Sequence, residues 1–337
     1  MTKVSCAGIL VADLIAADLP RVSGPGEITF TRRPIETHIG GHAANVSADL
    51  MRLGMKPGEV ECLGAVGNDP FADFFERTLT GHHVTVRLQR TAQARTSVDL
   101  ILVVKGEDRR YHVDVGANSY LDPDFVVRAV RRQKPPLFYS GGTGLMARFD
   151  RSLASVLRQV KQLGCLTFVD PVMPYNKSWG YLRKALKWTD IFHCNDIEAL
   201  SLTEKADLAQ AIDALLAWGP ELVLVSRGAG GLIAATPGLR LTMGAFCVKT
   251  LDPTGAGDAF CAGFIRRFVR RLRAGRPRGL ELSADDLADT LLEAEASGAA
   301  CVTGIGTTAA VERAAVDRLL ASQRARVERT ITLATVR

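Results

Sequence analysis

The chain has 337 residues, 47% of them hydrophobic, which can bury a large core in one big α/β domain or two ordinary ones and excludes a disordered tail. Its 42 basic and 36 acidic residues leave a formal charge of +6, a mild excess that does not by itself imply nucleic acid. The seven cysteines (Cys6, Cys62, Cys165, Cys194, Cys247, Cys261 and Cys301) include no CxxC pair, so neither a zinc site nor a disulfide framework is written, and a reducing cytoplasm is the expected location.

In chain order, "KVSCAGILV" predicts a first strand. The apolar run is interrupted by Asp13, too short to span a bilayer, and without the basic start of a signal peptide, so no membrane association is expected. Further strands are predicted at "VECLGAV", "SVDLILVV", "LFYSGG", "CLTFVDP", "DIFHCN" and "ELVLVSRG". Helical patterns fall at 43–54, 70–80, 150–163, 181–187, 196–201, 207–218, 258–273, 284–302 and 311–323. Alternation of short β-rich runs with helices predicts parallel strands joined by crossover helices, with several strands ending in Gly, Asp or Asn where such sheets place ligand sites. Residues 14–39, rich in Gly and Pro, and 88–118, a strand–turn–strand pattern, break the alternation and suit a small β lid.

The densest chemistry lies in "DPTGAGDAF", 252–260. Small residues there let backbone amides approach an anion, and the helix that follows aims unpaired N–H groups and its positive dipole end at the same spot. Asp258 at the helix start can accept a proton from a hydroxyl attacking a bound phosphoryl group, or it can simply answer the dipole. In "THIGGHAANVSADLMRLG", 37–54, Gly40 and Gly41 precede a helix whose first turn carries Asn45, which suits a hydroxylated small molecule or a capped loop. "CNDIEAL" sets Asn195 and Glu198 three apart on one helical face, as hard oxygen ligands for Mg²⁺ and its waters or as a cap and a solvated acid. "VSRGAGGLI" ends a strand in a turn where Gly228 and Gly231 permit backbone approach to a nucleotide, or make a plain β-turn.

As a set, these segments resemble the ribokinase-like, PfkB-type carbohydrate kinases, in the expected order and from "ILVADLI" to roughly "GIGTT" at 304–308. The resemblance implies a single domain over 1–337: a three-layer α/β/α sandwich around a mostly parallel sheet, with the lid formed by about 14–39 and 88–118. It implies ATP-dependent phosphorylation of a hydroxymethyl group on a sugar or sugar derivative. Asp258 would be the base, and the amides of Gly255, Ala256 and Gly257 the anion hole. Asn195 and Glu198 would organise Mg²⁺ through water. Ser226, Gly228, Gly231 and Gly257, with Asn195, would contact ATP, and 299–308 would close over the adenine. Asp13, Gly40, Gly41 and Asn45 would hold the acceptor. Asp252 and Thr254 match positions of an activating K⁺ site, although Pro253 replaces the more usual threonine between them.

No GxxxxGK[ST], GxGxxG or HRD occurs, which excludes a Walker loop, a dinucleotide fingerprint and a protein-kinase catalytic loop. In the arginine run at 264–279, Phe264, Phe268 and Leu272 recur at helical spacing, so Arg267, Arg270 and Arg271 read as a solvated face and not as a nucleic-acid patch. Arg32, Arg33, Arg95, Arg109 and Arg110 in or near the lid could recognise a phosphate already on the acceptor or merely keep the lid soluble. His42 lies within the acceptor-side signature. A nucleoside kinase acting on an adenosine-like acceptor and a non-catalytic sugar or nucleotide sensor on the same fold are the alternatives; a homodimer through the lid strands is expected.

Overall fold

The computed structural model describes residues 1–107, 109–272, 280 and 282–335. The chain runs β1 (Val4–Gly8), β2 (Val11–Leu19), β3 (Glu36–Gly40), α1 (His42–Arg52), β4 (Val60–Val66), α2 (Pro70–Gly81), β5 (Thr85–Arg90), β6 (Val98–Val104) and β7 (Arg110–Asp114). It continues with α3 (Pro123–Gln133), β8 (Leu137–Thr143), α4 (Ala147–Gln162), β9 (Leu166–Pro171), α5 (Gly180–Leu186), β10 (Ile191–Asn195), α6 (Asp196–Thr203), α7 (Leu208–Ala217) and β11 (Leu222–Ser226). The last elements are β12 (Leu232–Ala235), β13 (Leu239–Met243), α8 (Ala256–Arg271), α9 (Ala284–Cys301), α10 (Arg313–Glu328) and β14 (Thr332–Thr335).

Ten strands form one sheet in the order β14-β13-β12-β11-β10-β9-β8-β1-β4-β5. The seven from β5 to β11 in that order pair in parallel, while β12, β13 and β14 add on antiparallel. Because the strands are buried on both faces, they read as continuous apolar runs. One face packs against α1, α2, α8, α9 and α10. The other packs against α3 to α7. This is the expected three-layer α/β/α sandwich.

Helix starts follow local chemistry. Asp69 accepts from the N–H groups of Phe71 and Ala72 with Pro70 at the first helical position, and Asp122 with Pro123 repeats the device for α3. α3 has no counterpart among the predicted helices: its valines at 126, 127 and 130 read as strand formers, although their burial on one face carries the helix. β5, β12, β13 and β14 were likewise not predicted, being short or lying at or near the sheet edges.

The predicted first strand is in fact two. β1 belongs to the main sheet, and after Ile9 and Leu10 the chain enters β2 in a second, four-stranded sheet ordered β3-β2-β6-β7. Asn118 fixes this junction by accepting from Leu10 N–H at 3.0 Å and donating to the Leu10 carbonyl at 2.9 Å. The small sheet is mixed, since β2 pairs β3 antiparallel and β6 parallel, and β6 pairs β7 antiparallel. Residues 88–90, assigned to the lid from sequence, instead end β5 on the main sheet, because Thr85–Arg90 pairs with β4.

The arginine run is described only to 272, and its residues 273–279 lie outside the described residues. Within it Phe264 and Phe268 are buried, as the spacing predicts. The arginines are less free than a solvated face implies: Arg267 pairs with Asp289 at 3.2 Å, Arg271 with Asp286, and Arg270 donates to the Gly54 carbonyl. Among the described residues no helix is long and apolar enough to cross a membrane.

Phe264 is fully buried, edge-on to Phe168 at 5.9 Å and stacked on Phe268 at 5.8 Å, so it joins α8 to the central sheet. Phe264→Ala should therefore lower unfolding free energy by about 3–5 kcal/mol in urea titration; a loss under about 1 kcal/mol would show that the face is repacked easily.

Candidate active site

The residues singled out in the sequence converge where α8 begins. Gly255 takes φ 81° as the N-cap of α8, a left-handed conformation, and a Cβ there would meet the Thr307 carbonyl oxygen at 2.5 Å. That turn delivers Asp258 into the first helical turn, 8% exposed. Asn45 of α1 donates from Nδ2 to Asp258 Oδ2 at 2.8 Å. Thr307 Oγ1 lies 2.9 Å from Asn45 Oδ1 and 2.7 Å from the Ile39 carbonyl, donating to one at a time. Asp258 Oδ1 is buried without a partner among the described residues.

A cavity of about 390 Å³ opens over this carboxylate, between the main sheet and the inner face of the lid. Strand alternation sets that face: Asp13 sits beside Asp99 in register, Asp99 opposite Val113, and Ile101 opposite Tyr111. All five line the cavity, which explains why Tyr111 and Val113 are nearly half exposed. Burial, then the charges of Asp99, Asp258 and Asp252, push Asp13 up to about 8. Gly41 also lines it. Gly40 does not; it packs against Asp13, whose Oδ2 a Cβ would meet at 2.2 Å.

A second cavity, of about 490 Å³, lies on the other side of the GAGD loop. Ser226, Pro253, Ala256 and Gly257 border both, so the loop is a shared wall. Gly228 and Gly231 line the second cavity, as do the apolar side chains of Phe246, Val248, Ala299 and Val302. Nothing lies within 4 Å of a Cβ built on Gly228, so backbone there stands open to a ligand. The region 299–308 divides: Ala299 and Val302 face the second cavity, Gly306 N–H holds Asp252, and Thr307 lines the first cavity. Of the three amides assigned to the anion hole, Ala256 N–H already donates to the Pro253 carbonyl at 3.3 Å. Those of Gly255 and Gly257 bond to none of the described residues.

Asn195 and Glu198 line the first cavity and form a capping box: Glu198 N–H donates to Asn195 Oδ1 at 2.8 Å, and Asn195 N–H to Glu198 Oε2 at 2.9 Å. The cap weighed in the sequence is thus present, and Glu198 is partly buried where a solvated acid was the companion reading. Glu198 Oε1 remains free of protein partners among the described residues, and burial raises this carboxyl above its ordinary range. A hard oxygen of this kind fits Mg²⁺ held through its waters.

Asp170 and His193 complete the centre without having been assigned roles in the sequence, and His42 joins them from the acceptor-side signature. Asp170, at the end of β9, accepts from Tyr139 Oη at 2.7 Å and lies 2.9 Å from His193 Nδ1. Its burial alone would raise the carboxyl, but the charge and hydrogen bond of His193 hold it below the ordinary value. His42 stands with Asp170 and Asp258 within 4.8 Å of one another. Burial disfavours its cation, yet Asp258, Asp170 and Glu198 together raise it above the usual histidine value. Burial in turn raises Asp258, with His42 pulling it partly back. Only a strand ending in Asp–Pro signalled Asp170 in the sequence.

Asp252 and Thr254 adjoin, with Thr254 N–H donating to Asp252 Oδ1 at 2.9 Å. Their third neighbour is the guanidinium of Arg109, which reaches Asp252 Oδ1 at 2.7 Å and also bonds Thr254 Oγ1.

The sequence model of the pfkB family carbohydrate kinases matches residues 1–314. The chain is 29% identical to the fructokinase of Klebsiella pneumoniae over 290 residues, covering 81% of this chain and 88% of that protein. It is 28% identical to the ribokinase of Haemophilus influenzae over 268 residues, covering 77% and 82%. The structure of Arabidopsis thaliana ribokinase complexed with ribose and ATP superposes with a TM-score of 0.77 at 22% identity, over 95% of this chain and 99% of that one. With the family match spanning nearly the whole chain and the glycine loop, Asp258 and Asn45 meeting at one cavity, this protein belongs to the pfkB family of carbohydrate kinases.

Proposed function

We propose that this kinase transfers the terminal phosphoryl group of ATP to a hydroxymethyl group of a neutral sugar, with Asp258 as base. The observation that carries this reading is Asp258 at the wall between two cavities, one oxygen held by Asn45 and the other without a partner among the described residues. The acceptor occupies the cavity under the lid and the nucleotide the apolar cavity beyond the loop. The hydroxyl proton passes to Asp258 Oδ1 as the acceptor oxygen attacks the phosphorus and the bond to the bridging oxygen of ADP breaks. The N–H groups of Gly255 and Gly257, with the positive end of α8, stabilise the charge spread over the transferring group. Asn195 and Glu198 would hold Mg²⁺ through its waters, where it would supply positive charge against the phosphates. Asn45 fixes the orientation of Asp258, and Asp13, protonated below about 8, can donate to an acceptor hydroxyl.

A neutral acceptor is favoured by the charge of the cavity. Asp99, Asp170, Glu198 and Asp258 line it, outnumbering His42 and His193, beside an Asp13 that is neutral below about 8, and no lysine or arginine does among the described residues. Arg109 and Arg110, weighed as phosphate readers, are committed to Asp252 and Glu107. A phosphate or carboxylate on the acceptor would meet like charge there.

The unpaired lid edges β3 and β7, with Leu100 exposed on the outer lid face, support association of two copies through the lids. Light scattering should give twice the chain mass; a strictly monomeric species overturns this association.

Asp258→Asn should lower kcat by about 10²–10⁴-fold with ATP affinity unchanged. ADP release should be seen with free sugars and not with sugar phosphates or sugar acids; turnover confined to a phosphorylated or acidic acceptor would overturn the neutral-acceptor reading. No turnover on any acceptor, with ATP still bound, would favour a sensor.

Because Asp258 acts in its ionised form and its folded pKa lies above 3.8, kcat/KM should be lost as pH falls through that raised value. The positive charge of His42 lowers Asp258, so His42→Gln should move the acid limb to higher pH; an unmoved limb would remove the coupling.

A further inference from the structure

The residues that the family resemblance assigns to K⁺ do not fit a monovalent cation in this chain. Asp252 is buried, at 7% exposure, and each of its oxygens already receives a donor. Oδ2 accepts from Gly306 N–H at 3.0 Å. Oδ1 accepts from Thr254 N–H at 2.9 Å, lies 2.6 Å from Thr254 Oγ1 and receives Arg109 Nη1 at 2.7 Å. The Arg109 nitrogen also bonds Thr254 Oγ1, so it bridges the same two side chains that a cation would. Tyr111 supports the arrangement: its hydroxyl lies 3.3 Å from Thr254 Oγ1, and its ring sits 5.5 Å beneath the guanidinium.

We propose that Arg109 is the resident cation of the phosphate loop, a positioning residue supplied by the lid in place of a bound alkali ion. A guanidinium carries the same single positive charge as K⁺, keeps it at every working pH, and adds directional donors that a spherical ion lacks. Asp252 and Thr254 lie immediately before Gly255, where the chain turns into α8, so whatever holds them sets the loop amides and Asp258. Arg109 immediately precedes β7, at the outer edge of the lid. The loop therefore receives its cation only with the β6–β7 hairpin down on it, and monovalent cations in solution have no seat to fill.

This inference rests on the kinase reading, and the test separates the two. Wild-type kcat is measured in KCl, NaCl and choline chloride at fixed ionic strength, and thermal melting is recorded in the same salts. Rates within about twofold and identical melting temperatures are expected. Several-fold activation by K⁺, or a melting temperature raised by K⁺ alone, would overturn the proposal. The melting series decides it even if no acceptor is turned over, an outcome that would sink the kinase reading instead. Arg109→Ala should lower kcat by at least about tenfold, with partial recovery in K⁺ or in dilute, non-denaturing guanidinium, and Arg109→Lys should retain most activity without needing either. An alanine variant with wild-type kcat in all salts would refute it, and should that variant fail to fold, the wild-type salt series stands alone.

Discussion

One hydrogen bond joins parts of the chain 213 positions apart: the amide of Asn45 on α1 to the carboxylate of Asp258 on α8. Everything at the centre depends on it. It consumes one carboxylate oxygen, leaves the other without a partner among the described residues, and fixes the spacing between α1 and the N-terminus of α8. Such a bond survives only because α1 and α8 are packed on the same face of the sheet, with Ala43, Ala44, Ala259 and Ala262 buried there. Small side chains let the two helices approach closely enough for an amide to span the gap. Thr307 closes the arrangement from a third element.

The electrostatics follow from this crowding. Asp13, Asp99, Asp170, Glu198 and Asp258 share one small cavity with His42 and His193, so no carboxyl titrates independently of its neighbours. His193 holds Asp170 below its ordinary value, Asp170 and Asp258 both raise His42, and burial with neighbouring carboxylates pushes Asp13 up to about 8. A set of acids with graded affinities for protons suits a ligand made of hydroxyl groups, each of which needs both donors and acceptors.

Much of this was legible in the sequence. The parallel sheet announced itself through apolar runs ending in Gly, Asp or Asn, and the GAGD turn through residues that only a close backbone approach requires. Gly40 and Asn45 were named for the acceptor, and the structure adds protein neighbours that the sequence did not show: Gly40 makes room for Asp13, and Asn45, which lines the cavity, also holds Asp258. Local pattern could say that these residues mattered and not whom they would touch. Asp170, His193 and Arg109 were hidden for the same reason. Each acts through partners far along the chain, and no period or motif encodes a contact between a lid arginine and an aspartate 143 positions later. α3 was lost differently, because β-branched valines obscured a helix whose cap was plainly written.

The two-residue passage from β1 to β2 has a mechanical consequence. Ile9 and Leu10 are all that separates the two sheets there, and Asn118 clasps Leu10 on both its N–H and its carbonyl. Any rotation of the lid would therefore turn about a short, stiff axle at β2 and would not swing on a slack tether. β7 lies two strands out from that axle, a lever arm of about 10 Å, so a rotation of only about 10° carries its end by about 2 Å. Travel of that size would stretch the 2.7 Å contact between Arg109 and Asp252 beyond hydrogen-bond reach, so in such a rotation the small sheet would act as a lever with that ion pair at its far end.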